Sequence, residues 1–192
     1  MKKVLILILI VGFISFSFKR AANPATATGN GFTKKEKQEL AKKSKITKVE
    51  LVNQYIEKYK RVAIKEQKLY GIPASITLAQ GILESNAGQS SLSAKCNNHF
   101  GMKWIKGRKE KYAIYADDSP TDKFVVYKSA WWSYRDHSKL LMLQRYKPCR
   151  KCNRDYECWA RQLKKCGYAT APHYAKCLIS IIKQYKLYKY DV

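Results

Sequence analysis

The segment Ile76–Ser91, "ITLAQGILESNAGQSS", decides how the chain is read. Residues Ile76 to Leu83 form an apolar run, and Glu84 follows before small and polar residues take over. Just upstream, Gly71 suits a helix C-terminal cap and Pro73 suits the first turn of a new helix. Ile76, Leu78, Ala79, Ile82 and Leu83 cover much of that helix, leaving Thr77 and Gln80 as its polar interior members. A helix apolar on most sides is buried, so this one is expected at the centre of a domain. Glu84 then stands where a buried helix emerges from the core. Partial burial and the negative end of the helix dipole both disfavour its charged form. A carboxyl group kept protonated near neutral pH is what a general acid requires. The plainer alternative is a solvent-facing glutamate at a helix end.

Outward from this segment the chain reads as mostly helical. Ile46, Val49, Val52, Ile56, Tyr59 and Ala63 recur at helical spacing and predict a helix that ends near Tyr70 and Gly71. Residues 85–104 hold Gly, Ser, Asn and Cys and read as a loop. Lys111–Ala116 and Lys123–Tyr127, rich in Tyr, Val, Ile and Phe, flank "DDSPTD" and predict a β-hairpin. Helical spacing returns after Ser129 through "SAWWSYRDHSKLLMLQRY", and two further helices are expected near 154–165 and 172–185. The layout is α+β, mainly helical, with one domain over residues 46–190 and no internal repeat.

A glycosidase of the two-carboxylate type needs a second acid or base from another element across a cleft. The hairpin offers Asp117, Asp118 and Asp122. Asp117 and Asp118 are adjacent and cannot share one strand face, so one could face the cleft while the other shapes the turn. Both could equally be turn formers.

At this point the residues carry a resemblance. "YGIPASITLAQGILESNAGQSSLSAKCNNHFGMKW", Tyr70–Trp104, resembles the core of the glycoside hydrolase family 73 glucosaminidases. "FVVY" (124–127), "DHS" (136–138), "RY" (145–146), "GYAT" (167–170) and "YA" (174–175) follow in order, so the likeness spans about 50–188. It implies a lysozyme-like domain with a small β-hairpin lobe across the substrate groove. It implies endo-β-N-acetylglucosaminidase activity on the β-1,4 bond of peptidoglycan, with Glu84 at the general-acid position. Tyr168 matches a family tyrosine near the catalytic glutamate, and Asn98, His99, Phe100 and Gly101 match a stretch lining the cleft. Asp117 and Asp118 stand where the family's second carboxylate is expected, although other members carry Glu there. Assistance by the substrate's own acetamido group is the alternative. The cysteines are not part of the family pattern.

Aromatic rings pack against the apolar face of a pyranose. Trp104, Trp131, Trp132, Tyr168 and Tyr174 are therefore candidate sugar contacts, with core packing the better reading for at least one of the tryptophan pair. The chain carries 38 basic and 14 acidic residues among 192, a net charge of +24. Such a charge implies an anionic partner: nucleic acid, anionic lipid or bacterial wall.

The N-terminus narrows that choice. Lys2 and Lys3 precede an apolar run, Val4–Phe18, that is short for a membrane span and long for a core strand. Residues 1–27 read as a signal peptide ending near Ala25-Thr26-Ala27, or as an uncleaved N-terminal anchor. Residues 28–45 read as a basic linker. Both readings export the domain, which points away from intracellular nucleic acid and towards the cell envelope, with membrane contact only through the leader.

Six cysteines, Cys96, Cys149, Cys152, Cys158, Cys166 and Cys177, suggest disulfides in an exported chain, with reduced core thiols or a metal site as alternatives. The one C-x-x-C, Cys149 to Cys152, has no second pair to complete a structural zinc site. No cofactor and no metal are expected. A Ser-His-Asp hydrolase is set aside because no G-x-S-x-G is present and His99, His137 and His173 adjoin no nucleophile. His137 reads instead as a helix-packing residue. Two rivals remain: a lytic transglycosylase, which would use Glu84 alone to form anhydro-MurNAc, and a non-enzymatic basic wall-binding protein.

Overall fold

The computed structural model describes residues 47–117 and 119–192. The expectations for the leader, for the linker and for Asp118 lie outside them.

Helix α1, Lys48–Tyr70, opens on a capping box. The Thr47 hydroxyl accepts from the Glu50 amide at 3.2 Å, and the Glu50 carboxylate accepts from the Thr47 amide at 2.7 Å. Its buried face runs Val52, Tyr55, Ile56, Tyr59, Ala63, Glu66 and Gln67. Val49, expected on that face, is exposed, because the first turn projects beyond the core. Gly71 ends the helix in the left-handed region (φ 70°), as a cap glycine should.

Helix α2, Ala74–Ser85, is the central helix, with ten of its twelve residues buried. Pro73 is its N-cap rather than its first helical residue and has no side-chain cap to offer. The cap comes instead from the far end of the chain. The Asp191 carboxylate accepts from the Ser75 amide at 2.8 Å and from the Ser75 hydroxyl at 2.7 Å. Gln67 fastens the same corner, accepting from the Ala74 amide and donating to the Val192 carbonyl.

The expected loop over 85–104 contains a short helix, α3, Ser91–Cys96, started by the Ser90 side chain and ended by Asn97 in the left-handed region. Strands β1, Tyr112–Tyr115, and β2, Asp122–Val125, pair antiparallel with Tyr112 opposite Val125 and Tyr115 opposite Asp122. A bridge from Lys103 to Phe124 lays the preceding chain against the other edge of β2.

Helix α4 spans Ala130–Leu141, and its inward face is Ser133, Tyr134, His137, Ser138 and Leu141. The helical spacing read through Tyr146 breaks after Leu141 into a 3-10 turn, Gln144–Tyr146, and the short helix α5, Lys147–Arg150. Helices α6, Tyr156–Lys165, and α7, Tyr174–Gln184, follow, and a 3-10 turn, Leu187–Tyr190, closes the chain. Helices α1, α6, α7 and the final turn all pack on α2. The buried Glu66 carboxylate ties α1 to α4 through a two-pronged contact with Arg135 at 2.9–3.1 Å.

His137 is a packing residue, stacked on Phe100 with centroids 4.0 Å apart. Neither tryptophan of the 131–132 pair is a core residue, contrary to expectation: Trp131 is half-buried under Arg135, and Trp132 is 48% exposed. The core-facing stripe of α4 begins only at Ser133. Among the cysteines, Cys152 is bonded to Cys158, so the C-x-x-C pair is not joined to itself. Among the described residues no helix is long and apolar enough to cross a membrane, and no three His, Cys, Asp or Glu side chains converge to hold a metal ion.

Candidate active site

Glu84 lies in the last turn of α2, partly open to solvent, with its carboxyl set against buried neighbours. Tyr174, the first residue of α7, donates its hydroxyl proton to Glu84 Oε1 at 3.1 Å. The same hydroxyl accepts from Gln80 Nε2 at 2.9 Å. Gln80 is one turn before Glu84 on α2, so residues i and i+4 of one helix hold the two sides of a single tyrosine. Burial pushes the Glu84 carboxyl up to about 8, while the Tyr174 hydrogen bond favours the charged form and opposes that rise. Tyr168, fully buried, stacks on Tyr174 with centroids 5.7 Å apart. Burial first, and then the nearby Glu84 charge, raise both phenols well above their ordinary value. Each therefore stays a neutral group beside the acid.

The chain reverses immediately after Glu84. Asn86, Ala87 and Gly88 have φ of 50°, 52° and 80°, three successive left-handed residues. Ser85 holds this reversal: its hydroxyl donates to the Gly81 carbonyl at 2.5 Å and accepts from the Gly88 amide at 2.8 Å. A left-handed alanine is costly, and such strain gathers where structure fixes a functional group.

The following segment is clamped to the foot of the hairpin. Asn98 donates to the Met102 and Val125 carbonyls and accepts from the Met102 amide. The Cys96 carbonyl accepts from the Tyr127 amide at 2.9 Å. The position of the hairpin lobe relative to α2 is thus set by the chain that leaves Glu84.

This geometry revises several expected substrate contacts. Asn98, His99 and Phe100 have buried side chains, each no more than 3% exposed, so they build the segment rather than line it. His99 packs between Tyr55 and Tyr59, and burial lowers it to about 4, aided by the Lys58 charge. Tyr174 and Tyr168 are likewise buried, Tyr174 bonded to the Glu84 carboxyl and Tyr168 stacked on Tyr174, which leaves them no ring face to offer a sugar. Trp104 remains half-open on the hairpin lobe, beside exposed Tyr112 at 5.0 Å and below Lys123. Asp117 has a side chain only 7% exposed, and its carboxylate is 3.1 Å from Lys103 Nζ. Asp122 contacts the same ammonium at 3.0 Å.

Gln80 was legible as a polar interruption of an apolar helix, one turn before the acid, but its pairing with Tyr174 joins positions 94 residues apart. Arg145 was marked only as part of the matched "RY" pair; the structure gives it a task, donating to the Gly167 carbonyl at 3.0 Å and so steadying the turn before Tyr168.

The chain as a whole is similar to known proteins. The glucosaminidase family, described as mannosyl-glycoprotein endo-beta-N-acetylglucosaminidase, matches residues 60–187. The exo-glucosaminidase LytG of Bacillus subtilis (strain 168) is 34% identical over 137 residues, 64% of this chain and 47% of LytG. The chain thus spans about half the length of that curated relative. Among solved structures, the catalytic domain of the autolysin Auto from Listeria monocytogenes superposes with a TM-score of 0.63 at 26% identity, covering 85% of this chain and 100% of that one. The glycoside hydrolase domain of FlgJ from Salmonella typhimurium gives a TM-score of 0.61 at 30% identity, covering 70% and 88%.

Proposed function

The chain belongs to the glucosaminidase family and shares its mainly helical, lysozyme-like fold, and from that premise we propose that it hydrolyses the β-1,4 bond between GlcNAc and MurNAc in bacterial peptidoglycan, with Glu84 as general acid. The observation that carries this reading is the three-residue relay Gln80–Tyr174–Glu84. Gln80 Nε2 donates to the Tyr174 hydroxyl, so the tyrosine proton is directed at Glu84 Oε1. With Oε1 accepting, the acid's own proton belongs on Oε2, the oxygen left to meet the glycosidic oxygen. Burial keeps that proton in place near neutral pH.

Proton transfer to the leaving oxygen separates the sugars while positive charge develops on the GlcNAc ring. A second group must stabilise that charge or activate water. Asp117, held by Lys103, is the candidate among the described residues, with Asp118 beside it in sequence and the substrate's acetamido group as the other source. Internal cutting is the mode proposed, following the endo description of the family, whereas the relative LytG is described as an exo-glucosaminidase. The net charge of the whole chain, +24, would draw the protein to a wall polymer bearing free carboxylates. Action outside the cytoplasm, by way of the basic and apolar leader, belongs to the same proposal.

The test is the chemistry of the product ends. Peptidoglycan digested by the purified protein is reduced with borohydride and its termini are identified by mass spectrometry. New reduced GlcNAc ends on shortened strands, absent with Glu84→Gln, are expected. Anhydro-MurNAc ends would reassign the protein as a transglycosylase. Wall binding without new ends would make it a binding protein.

A further inference from the structure

Four of the cysteines gather where α5 meets α6, and only two of them are bonded, Cys152 to Cys158. The other two, Cys149 on α5 and Cys166 at the C-cap of α6, have their sulfurs 4.0 Å apart. They are 17 residues apart in sequence, and a bond between them would enclose the existing one. Cys166 directly precedes Gly167, whose left-handed backbone (φ 71°) delivers Tyr168 to its buried place against Tyr174. That turn is already tied on two sides. Arg145 donates to the Gly167 carbonyl, and Lys164 donates to the Ala169 and Thr170 carbonyls at 3.2 and 2.6 Å.

We propose that Cys149 and Cys166 are a second cross-linking site, closed by a disulfide oxidant into a bond that braces the segment carrying Tyr168. Two sulfurs already in contact need only a small rotation to reach bonding distance. Cys166 is partly exposed, whereas Cys149 is buried and its thiol is pushed up to about 12, so Cys166 is the thiol that reacts first. With oxidised glutathione as the oxidant, the Cys166 thiolate attacks one glutathione sulfur. The glutathione S–S bond breaks, and one glutathione leaves and is protonated by solvent. Cys149 then gives its proton to solvent and attacks the Cys166 sulfur, expelling the second glutathione as a thiol. The two cysteines lose two electrons and two protons, and the oxidant becomes two thiols.

The remaining cysteines are expected to stay reduced: Cys96 is buried with its sulfur 3.8 Å from the Tyr115 hydroxyl, and Cys177 is exposed on α7.

The full-length protein is equilibrated with oxidised glutathione, unfolded in iodoacetamide without reductant, and mapped with trypsin. Trypsin separates the four cysteines into the peptides 146–150, 152–154, 155–161 and 166–176. The expected map joins 146–150 to 166–176 and 152–154 to 155–161, with Cys96 and Cys177 alkylated. Hydrogen exchange over residues 166–170 should slow on oxidation in the wild type and stay unchanged in Cys149→Ser. Alkylation of both Cys149 and Cys166, a lasting glutathione adduct on Cys166, or a Cys149–Cys152 pair would each overturn the proposal. So would unchanged exchange in a protein that does carry the bond, because the bond would then not brace the Tyr168 segment. The thiol map does not depend on activity, so its outcome is independent of the proposed hydrolysis.

Discussion

Replacing Tyr174 with Phe should move the alkaline limb of activity to higher pH. Burial places the Glu84 carboxyl at about 8, and the hydrogen bond from the Tyr174 hydroxyl opposes it by stabilising the carboxylate. Removing that hydroxyl leaves burial unopposed, so the proton is held more tightly. A hydrogen bond to a charged group contributes about 1.5–3 kcal/mol. At 3.1 Å and partly open to solvent, this one belongs at the lower end. Since about 1.4 kcal/mol corresponds to one pH unit, the limb should rise by about one unit. The acid works protonated, so Tyr174→Phe should retain relatively more activity above the wild-type limb even though its maximum falls. The fold is weakened as well, because Gln80 Nε2 loses its acceptor in a buried site, which costs about 1–3 kcal/mol of stability. The assay is kcat/KM against pH on purified peptidoglycan at constant ionic strength, with thermal denaturation to confirm folding. A limb that stays in place or moves down would show that the Tyr174 proton does not serve Glu84, and the relay would be wrong.

Three further outcomes follow from the same structure. The folded Glu84 pKa is raised from 4.5 to about 8, so stability is full below 4.5 and falls as pH rises towards 8. Glu84→Gln removes that loss and should be more stable above pH 8 by about 2–3 kcal/mol, allowing for solvent at the carboxyl, and calorimetry at acid and alkaline pH should show the gain only in the latter. Arg135→Ala leaves the buried Glu66 carboxylate without its two-pronged partner and should cost about 3–5 kcal/mol in urea denaturation, while Glu66→Gln with Arg135→Met should recover much of it. Ala87→Gly relieves a left-handed alanine in the reversal after Glu84 and should raise stability by about 1 kcal/mol; a loss in Tm would show that the Ala87 methyl packing outweighs the strain.

The parts legible in the sequence are those set by local spacing. The stripe from Val52 to Ala63 marks α1, Gly71 marks its end, and the apolar run to Leu83 marks α2 as central. "DDSPTD" between two β-rich runs marks the hairpin. What was not legible depends on residues distant in the chain. The cap of α2 comes from Asp191, 116 residues away, because Pro73 has no side-chain oxygen to supply one. The cysteine pairing could not be read from spacing, since Cys152 bonds forward to Cys158 and not back along the C-x-x-C. The matched stretch Asn98–Phe100 misled in a particular way. Its residues hold the site together by turning inward: Asn98 ties the loop to β2, and Phe100 stacks on His137.

The same distinction explains why a carboxylate sits where a buried helix runs out. A helix apolar on nearly all sides can carry an acid only at its end, where some solvent reaches it, and burial short of that point then protonates it. That much follows from α2 alone. The direction of its proton does not, because it requires a donor on one side of Glu84 and a reason for that donor to point there. Tyr174 supplies the donor from α7, and Gln80 supplies the reason from α2 itself. Gln80 is therefore a polar residue inside an apolar helix with a specific task, and its amide oxygen finds no partner among the described residues. An unpaired buried carbonyl is costly, so an apolar residue there would pack at lower cost. Gln80→Leu separates the two accounts. If the amide serves only packing, the variant keeps the wild-type pH profile. If it orients Tyr174, the hydroxyl is free to turn from Glu84, and the alkaline limb rises as it does in Tyr174→Phe.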